Sequence, residues 1–289
     1  MRKGKGLTTV ALTASLLLLG AACRQEAAPP AGGDGAPAPE VTTIEEGVLT
    51  VGTDFPYPPF EYGPSNEPRG FDVEIMNEIA NRIGVPEAVW VDAVFDTIFT
   101  DLAASQFDVV ISGATITPER EQQVNFSDPY FLSLQALVVQ EGSGISSFDD
   151  LGEGDSVSVQ TGTTGEIWAE ENLQPNGVEL RAFPDYPPIY NALEAGQVDG
   201  VVYDESSAIP ETFNRPGLEV VDTVNTNEFY GIAVDPNNED LLDAVNSALA
   251  DMIEDGTYDQ IYDTFPDCTE EEVKTCMVPG GRITEAEQA

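Results

Sequence analysis

Ser112 to Tyr130 reads SGATITPEREQQVNFSDPY, and the fold of the chain turns on this stretch. It follows a short, apolar, β-branched run, Phe107 to Ile111 (FDVVI), which predicts a buried strand broken by Ser112-Gly113. Thr117-Pro118-Glu119-Arg120 then predicts a helix start, with Thr117 as cap and Pro118 at the first helical position. Acidic residues suit the positive end of a helix dipole, so Arg120 is electrostatically out of place there. A guanidinium beside free backbone N–H groups, next to a strand end, favours a carboxylate or another anion. The competing reading is a surface ion pair of Arg120 with Glu119 or Asp128, an interaction that contributes little.

Upstream, Val48 to Thr53 (VLTVGT) predicts a strand, and the loop from Asp54 to Tyr62 is too rich in proline to continue it. In α/β sheets ligands bind where strands end, which makes Asp54, Tyr57 and Phe60 candidates. Each has a plainer use: Asp54 as a turn cap, and the two rings as packing against the sheet, which suits Phe60 best. Gly70 to Ile83 has its apolar residues at helical spacing, and Val89 to Val91 follows as a strand. Phe95 to Ser105 predicts a helix that leads into FDVVI. Phe95, at its start, serves either as an aromatic wall for a ligand or as a staple for the helix.

Downstream, Leu134 to Val139 is extended and apolar, while Ser156 to Gln160 ends in Thr161-Gly-Thr-Thr-Gly165 before a helix from Glu166 to Asn172. That turn, with Thr163 and Thr164, is either a second anion cradle or an ordinary helix cap. Asn225 to Val234 predicts a strand, Glu239 to Glu254 a strongly amphipathic helix, and Tyr258 to Tyr262 a short one. The tail beyond Pro279 is polar and expected to be loose. One internal echo stands out: Leu102 to Ile111 (LAASQFDVVI) resembles Leu193 to Val202 (LEAGQVDGVV), and the second copy runs on into Tyr203-Asp204. Two similar α/β units imply two lobes around one cleft, with Asp204 facing Arg120 as an anionic anchor for a zwitterion. Alternatively, Asp204 caps the helix that follows.

Composition narrows the options. The 289 residues, 41% of them hydrophobic, are enough for a large core. The 11 basic and 52 acidic residues give a formal charge of −41, which repels phosphate backbones and anionic lipid headgroups, so nucleic acid is excluded as a partner. Lys274 is the only lysine after Lys5, a scarcity that fits a surface kept soluble in high salt or plain acidic drift. The absence of histidine removes Ser-His and Cys-His nucleophiles and most catalytic zinc sites. Any catalysis would have to run on carboxylates, tyrosine or Lys274.

Arg2, Lys3 and Lys5 precede an apolar run from Leu7 to Ala22 that ends before Cys23, which predicts a signal peptide over residues 1–22. It resembles a lipoprotein signal with Cys23 as the acylated residue, although Gly20 stands where the lipobox usually has leucine; a plain secretory signal is the alternative. Residues 23–46, Ala/Pro/Gly-rich and aperiodic, read as a disordered tether. Cys268 and Cys276, in an exported chain, are expected to form a disulfide, with a metal site as the weaker option.

The motifs VGTDFPYPPFEY, GFDVEIMNEIA, FDVVISGATITPER, VNFSDPYF, VSVQTGTTGE, VDGVVYD and YGIAV, in this order, resemble those of family 3 periplasmic substrate-binding proteins, the amino-acid receptors of ABC importers. The resemblance covers about Val48 to Phe265. It implies an α/β, type II periplasmic binding fold with two lobes joined by two crossover strands, near Tyr130 to Leu134 and Asn225 to Tyr230. Lobe 1 would comprise 47–131 and 229–266, lobe 2 132–228, and the tail 267–289. It further implies that Arg120, helped by Thr115 and the backbone around Thr163 and Thr164, grips an α-carboxylate with Gly113 alongside, and that Asp204 takes the α-ammonium. Tyr57 and Phe95 would sandwich the ligand side chain, Asp54 would meet its far end, and Gln160 stands where some relatives carry lysine.

The expected function is capture of a polar or cationic amino acid, without catalysis, cofactor or metal, by a lipid-anchored extracytoplasmic monomer that serves a membrane permease. A dehydratase on the same fold and a sensor or adhesin without transport are the alternatives.

Overall fold

Two five-stranded sheets carry the chain, and a computed structural model describes residues 41–268 and 275–284 of it. The expected signal peptide, Cys23 and most of the expected tether lie outside the described residues. In chain order the elements of the first sheet are β1 (Val48–Thr53), α1 (Phe71–Arg82), β2 (Glu87–Asp92), α2 (Ile98–Ala103), β3 (Val109–Val110) and β4 (Asn125–Phe126). A long strand, β5 (Phe131–Gln140), then enters the second sheet, with β6 (Ser156–Gln160), α3 (Thr164–Asn172), β7 (Glu179–Phe183), α4 (Tyr186–Glu194), β8 (Gly200–Asp204) and α5 (Glu205–Asn214). The return strand β9 (Leu218–Tyr230) leads to β10 (Ala233–Val234), α6 (Glu239–Glu254) and α7 (Thr257–Tyr262), which complete the first lobe.

The two sheets repeat one plan. Their strand orders are β2-β1-β3-β10-β4 and β7-β6-β8-β5-β9. In each, the first three strands are parallel and the next is antiparallel. The echoed segments are the counterparts α2–β3 and α4–β8, so the internal similarity in sequence is a similarity of topology. β5 and β9 pair antiparallel from Phe131↔Tyr230 to Gln140↔Leu218, with register shifts between Ser133 and Gln135 and between Leu137 and Val138. These are the two crossover strands of the type II periplasmic binding fold.

Packing follows the apolar pattern. α1 buries Phe71, Val73, Ile75, Met76, Ile79 and Ala80, and each of the larger side chains contributes about 1.5–3 kcal/mol. The rings of Phe60, Phe131 and Tyr230 meet where the lobes join, with centroids 5.0–5.5 Å apart, so Phe60 packs.

Three expectations about chain ends and helices are corrected. The helix start at Thr117 stops after a single 3-10 turn, Arg120–Gln122, although the Thr117 hydroxyl accepts the Arg120 N–H at 3.2 Å as a cap should. Val124 is needed in the core and β4 begins directly after it, which leaves no length for an α-helix. Residues 41–46, assigned by composition to the tether, lie against the first lobe: the Ile44 N–H donates to Asp108 at 2.7 Å and Asn238 donates to the Thr42 carbonyl at 3.0 Å. The tail is not loose through Ile283, which is buried and whose N–H meets the Tyr258 hydroxyl at 3.2 Å. Cys268 and Cys276 form the expected disulfide.

Candidate ligand-binding site

The cleft is built from the carboxyl ends of β1, β3, β6 and β8, which the two sheets turn toward each other. Its lining comprises Asp54, Tyr57, Phe95, Ser112, Gly113, Thr115, Arg120, Thr163, Thr164, Tyr203 and Asp204. Nine of the ten residues to which the resemblance gives a ligand contact are among these. The tenth, Gln160, lies immediately behind, and its amide donates to Asp54 at 2.6 Å and to the Pro184 carbonyl at 3.1 Å while it accepts the Tyr203 hydroxyl at 2.5 Å.

Arg120 is buried and pairs with neither Glu119 nor Asp128. Its guanidinium donates to the Thr115 carbonyl at 2.7 Å and, across the cleft, to the Gly162 carbonyl at 3.1 Å, and it lies 5.1 and 4.9 Å from the ring centres of Phe95 and Phe99. Among the described residues, Arg69, Arg82, Arg181, Arg215 and Arg282 all form ion pairs, whereas Arg120 is in none. Burial lowers its pKa to about 10, opposed by the fields of Glu228 and Asp204; it stays charged at neutral pH.

Asp204 holds the N-cap position of α5 without capping it. Its carboxylate turns into the cleft instead, where it accepts the Tyr57 hydroxyl at 2.9 Å, the Tyr230 hydroxyl at 2.6 Å and the Gln135 amide. Burial, reinforced by Glu228, pushes its pKa up to about 7. Asp54 is likewise raised to about 7, first by burial and then, against the Gln160 hydrogen bond, by the fields of Asp92 and Asp185. Near neutral pH both acids are thus held partly protonated by their burial.

The turn under Arg120 is rigid for an identifiable reason. The Ser112 hydroxyl donates to Glu61 at 2.5 Å, and the Gly113 N–H and Tyr130 hydroxyl each donate to Asp72 at 2.9 Å. Glu61 and Asp72 are fully buried, and burial raises the pKa of both. Gly113 has φ +51°, and a Cβ there would overlap the Tyr57 ring, so only glycine fits without strain. Thr163 caps α3, accepting the Glu166 N–H at 3.2 Å and donating to the Gln160 carbonyl at 2.8 Å; its hydroxyl is occupied within its own lobe.

Sequence reading missed Ser112, Tyr203, Gln135, Tyr230 and Glu228. Ser112 and Tyr203 adjoin named residues, and the strand-end rule could have included them. Gln135, Glu228 and Tyr230 belong to the crossover strands, where a sequence gives no sign of which side chains face the cleft.

The space left between the lining side chains is about 20 Å³, the size of a water, so a larger ligand enters only when the lobes part. A larger groove, about 700 Å³, lies between Thr42–Ile44 and Asp235–Asp240, but it has no cationic side chain, and its buried acid, Asp108, is already taken by the Ile44 and Thr50 N–H groups.

The chain is similar to proteins of known role. A profile of bacterial extracellular solute-binding proteins, family 3, matches residues 49–267. The L-cystine-binding protein TcyJ of Escherichia coli (strain K12) is 37% identical over 217 residues, which cover 74% of this chain and 80% of that protein. The lysine/arginine/ornithine-binding periplasmic protein of the same organism is 31% identical over 222 residues, 74% of this chain and 85% of that one. An ancestral arginine-binding protein bound to arginine superimposes with a TM-score of 0.72 at 40% identity, covering 75% of this chain and 97% of that structure.

Proposed function

The chain belongs to the bacterial extracellular solute-binding proteins, family 3, and from that membership we propose that it captures a cationic amino acid between its lobes and delivers it to the permease of an ABC importer. One observation carries the reading of the site. Arg120 and Asp204, oppositely charged, stand on different lobes of one cleft, and Arg120 is the described arginine with no carboxylate partner. A zwitterion placed between them satisfies both, its carboxylate on the guanidinium and on the N–H groups at the start of α3, its ammonium on Asp204. Each charge-assisted hydrogen bond contributes about 1.5–3 kcal/mol, and both are complete only with the lobes together, so capture and closure are one event.

The side chain of the ligand points toward Asp54, which burial and the fields of Asp92 and Asp185 keep in need of a cation. A guanidinium or ammonium supplies one; a neutral side chain does not. Relatives named for arginine or for lysine, arginine and ornithine accord with this choice. Tyr57 and Phe95 flank the path, Gln160 holds Asp54 in place, and Thr115, Thr163, Thr164 and Gly113 frame the carboxylate end. Acylation of Cys23 would keep this monomeric receptor at the membrane beside its permease.

The experiment is a thermal-shift screen of the mature chain against L-arginine, L-lysine, L-ornithine, L-histidine, L-cystine and L-glutamine. A ligand at one hundred times its Kd should stabilise the fold by about 2.7 kcal/mol, with L-arginine first among the six. If L-glutamine or L-cystine shifts the protein and L-arginine does not, the cationic assignment fails. If none of them shifts it, amino-acid capture fails.

A further inference from the structure

Glu228 is a buried carboxylate that the capture scheme leaves without a task. It sits on the crossover strand β9, opposite Ser133 of β5, and is 2% exposed. Its Oε2 accepts the Thr115 hydroxyl of the first lobe at 2.7 Å and the Thr164 hydroxyl of the second at 2.8 Å, while its Oε1 accepts the Thr226 hydroxyl at 2.6 Å. After burial, its charge is also the first influence on both anchors, supporting the charge of Arg120 and opposing that of Asp204.

We propose that Glu228 is an internal stand-in for the ligand's carboxylate, a latch that ties the lobes together and that the incoming carboxylate must displace. The inference rests on the capture reading above. A hydroxyl has one proton to give. While Thr115 and Thr164 give theirs to Glu228, neither can donate to a ligand, and both become available only when Glu228 lets go. Two further bonds cross the cleft in the same way: the one-proton Tyr57 hydroxyl is given to Asp204, and the Gln160 amide to Asp54, whereas Arg120, which donates to the Gly162 carbonyl, keeps further N–H groups for a ligand. The cleft therefore closes on its own groups, and the ligand exchanges one set of bonds for another. Glu228 sets how much affinity is surrendered in that exchange, and it does so selectively for ligands that carry a carboxylate.

Two probes separate this from a merely structural role: L-arginine, and agmatine, which keeps the guanidinium but lacks the carboxylate. In Glu228→Gln the shape is retained and the competing charge is gone. Calorimetric titration of the full chain should show L-arginine binding about tenfold more tightly than to wild type, with agmatine unchanged or weaker. Small-angle scattering without ligand should show a larger radius of gyration, because the tie between the lobes is weakened. Thr226→Val, which only removes one hydrogen bond to the carboxylate, should give a smaller change in the same direction and guards against misfolding of the first variant.

Equal changes for the two probes, or a loss of L-arginine affinity in Glu228→Gln, would overturn the latch; the latter result would make Glu228 a direct acceptor of the ammonium. If wild type binds no amino acid, it is the capture reading that has failed, and the scattering comparison alone still decides whether Glu228 ties the lobes.

Discussion

Replacing Asp204 by asparagine should move stability and affinity in opposite directions. Burial holds the proton of Asp204 up to about 7, whereas in an unfolded chain an aspartate releases it near 4. Between those values the folded protein keeps a proton that the unfolded chain has lost, so the stability conferred is fully present below about pH 4 and is gone above about pH 7, falling by about 1.4 kcal/mol per unit. From pH 5 to 7 this one group costs about 3 kcal/mol. An amide has no such proton. Its oxygen can keep the Tyr57 and Tyr230 hydroxyls, and a flip of Gln135 brings its buried, unpartnered Oε1 to the new N–H. In urea titrations at pH 5 and pH 8, Asp204→Asn should therefore lose about 3 kcal/mol less than wild type does over the interval. The same change removes the charge that faces the ligand's ammonium and should weaken L-arginine about ten- to hundredfold by calorimetry at pH 8. A variant with the pH slope of wild type, or with L-arginine affinity within about threefold of it, would refute the placement of Asp204 as a buried, half-protonated ammonium anchor.

Arg120→Lys keeps the charge but loses the fork that reaches two carbonyls and a ligand carboxylate at once, and should cost about ten- to hundredfold in affinity; calorimetry showing wild-type binding would mean the guanidinium geometry is immaterial. Because Asp54 and Asp204 must both ionise to receive a cation, affinity for L-arginine should climb by up to about tenfold per pH unit per group between about pH 5 and 7 and level off above, with protons released on binding. The heat of binding should accordingly vary with the ionisation heat of the buffer near pH 6, and a flat profile would count against both acids. Gly113→Ala forces a Cβ into the Tyr57 ring at a positive φ, and should cost about 1–3 kcal/mol in urea unfolding, with L-arginine binding impaired as the turn shifts.

Much of the site was legible because it is local. Strand ends, a displaced arginine and a helix-start turn are short patterns, and they mark Asp54, Arg120, Thr163 and Asp204 from residue types alone. The echo of LAASQFDVVI in LEAGQVDGVV was legible for the same reason, and it fixed two lobes of one plan. What escaped depends on distant partners. Glu228 lies in NTNEFY, a polar run with no periodicity, and its importance arises only when Thr115 and Thr164 arrive from separate lobes. Leu218 to Val224 was missed as strand because its outward residues are acidic and its pairing is with β5, some eighty positions earlier. The helix expected at Thr117 failed because a cap is a local signal, whereas the length of a helix is decided by what must follow it.

The anchorage of residues 41–46 has a mechanical corollary. Ile44 and Thr42 are fastened to Asp108, at the entry of β3, and to Asn238, at the head of α6, on the ends of the strands remote from the cleft. A force arriving along the backbone at Val41 is thus borne by the first lobe alone. The chain passes to the second lobe and back through β5 and β9 only, like a door on two hinges whose frame is bolted down, so that once the bonds across the cleft part the second lobe can swing without dragging on Val41.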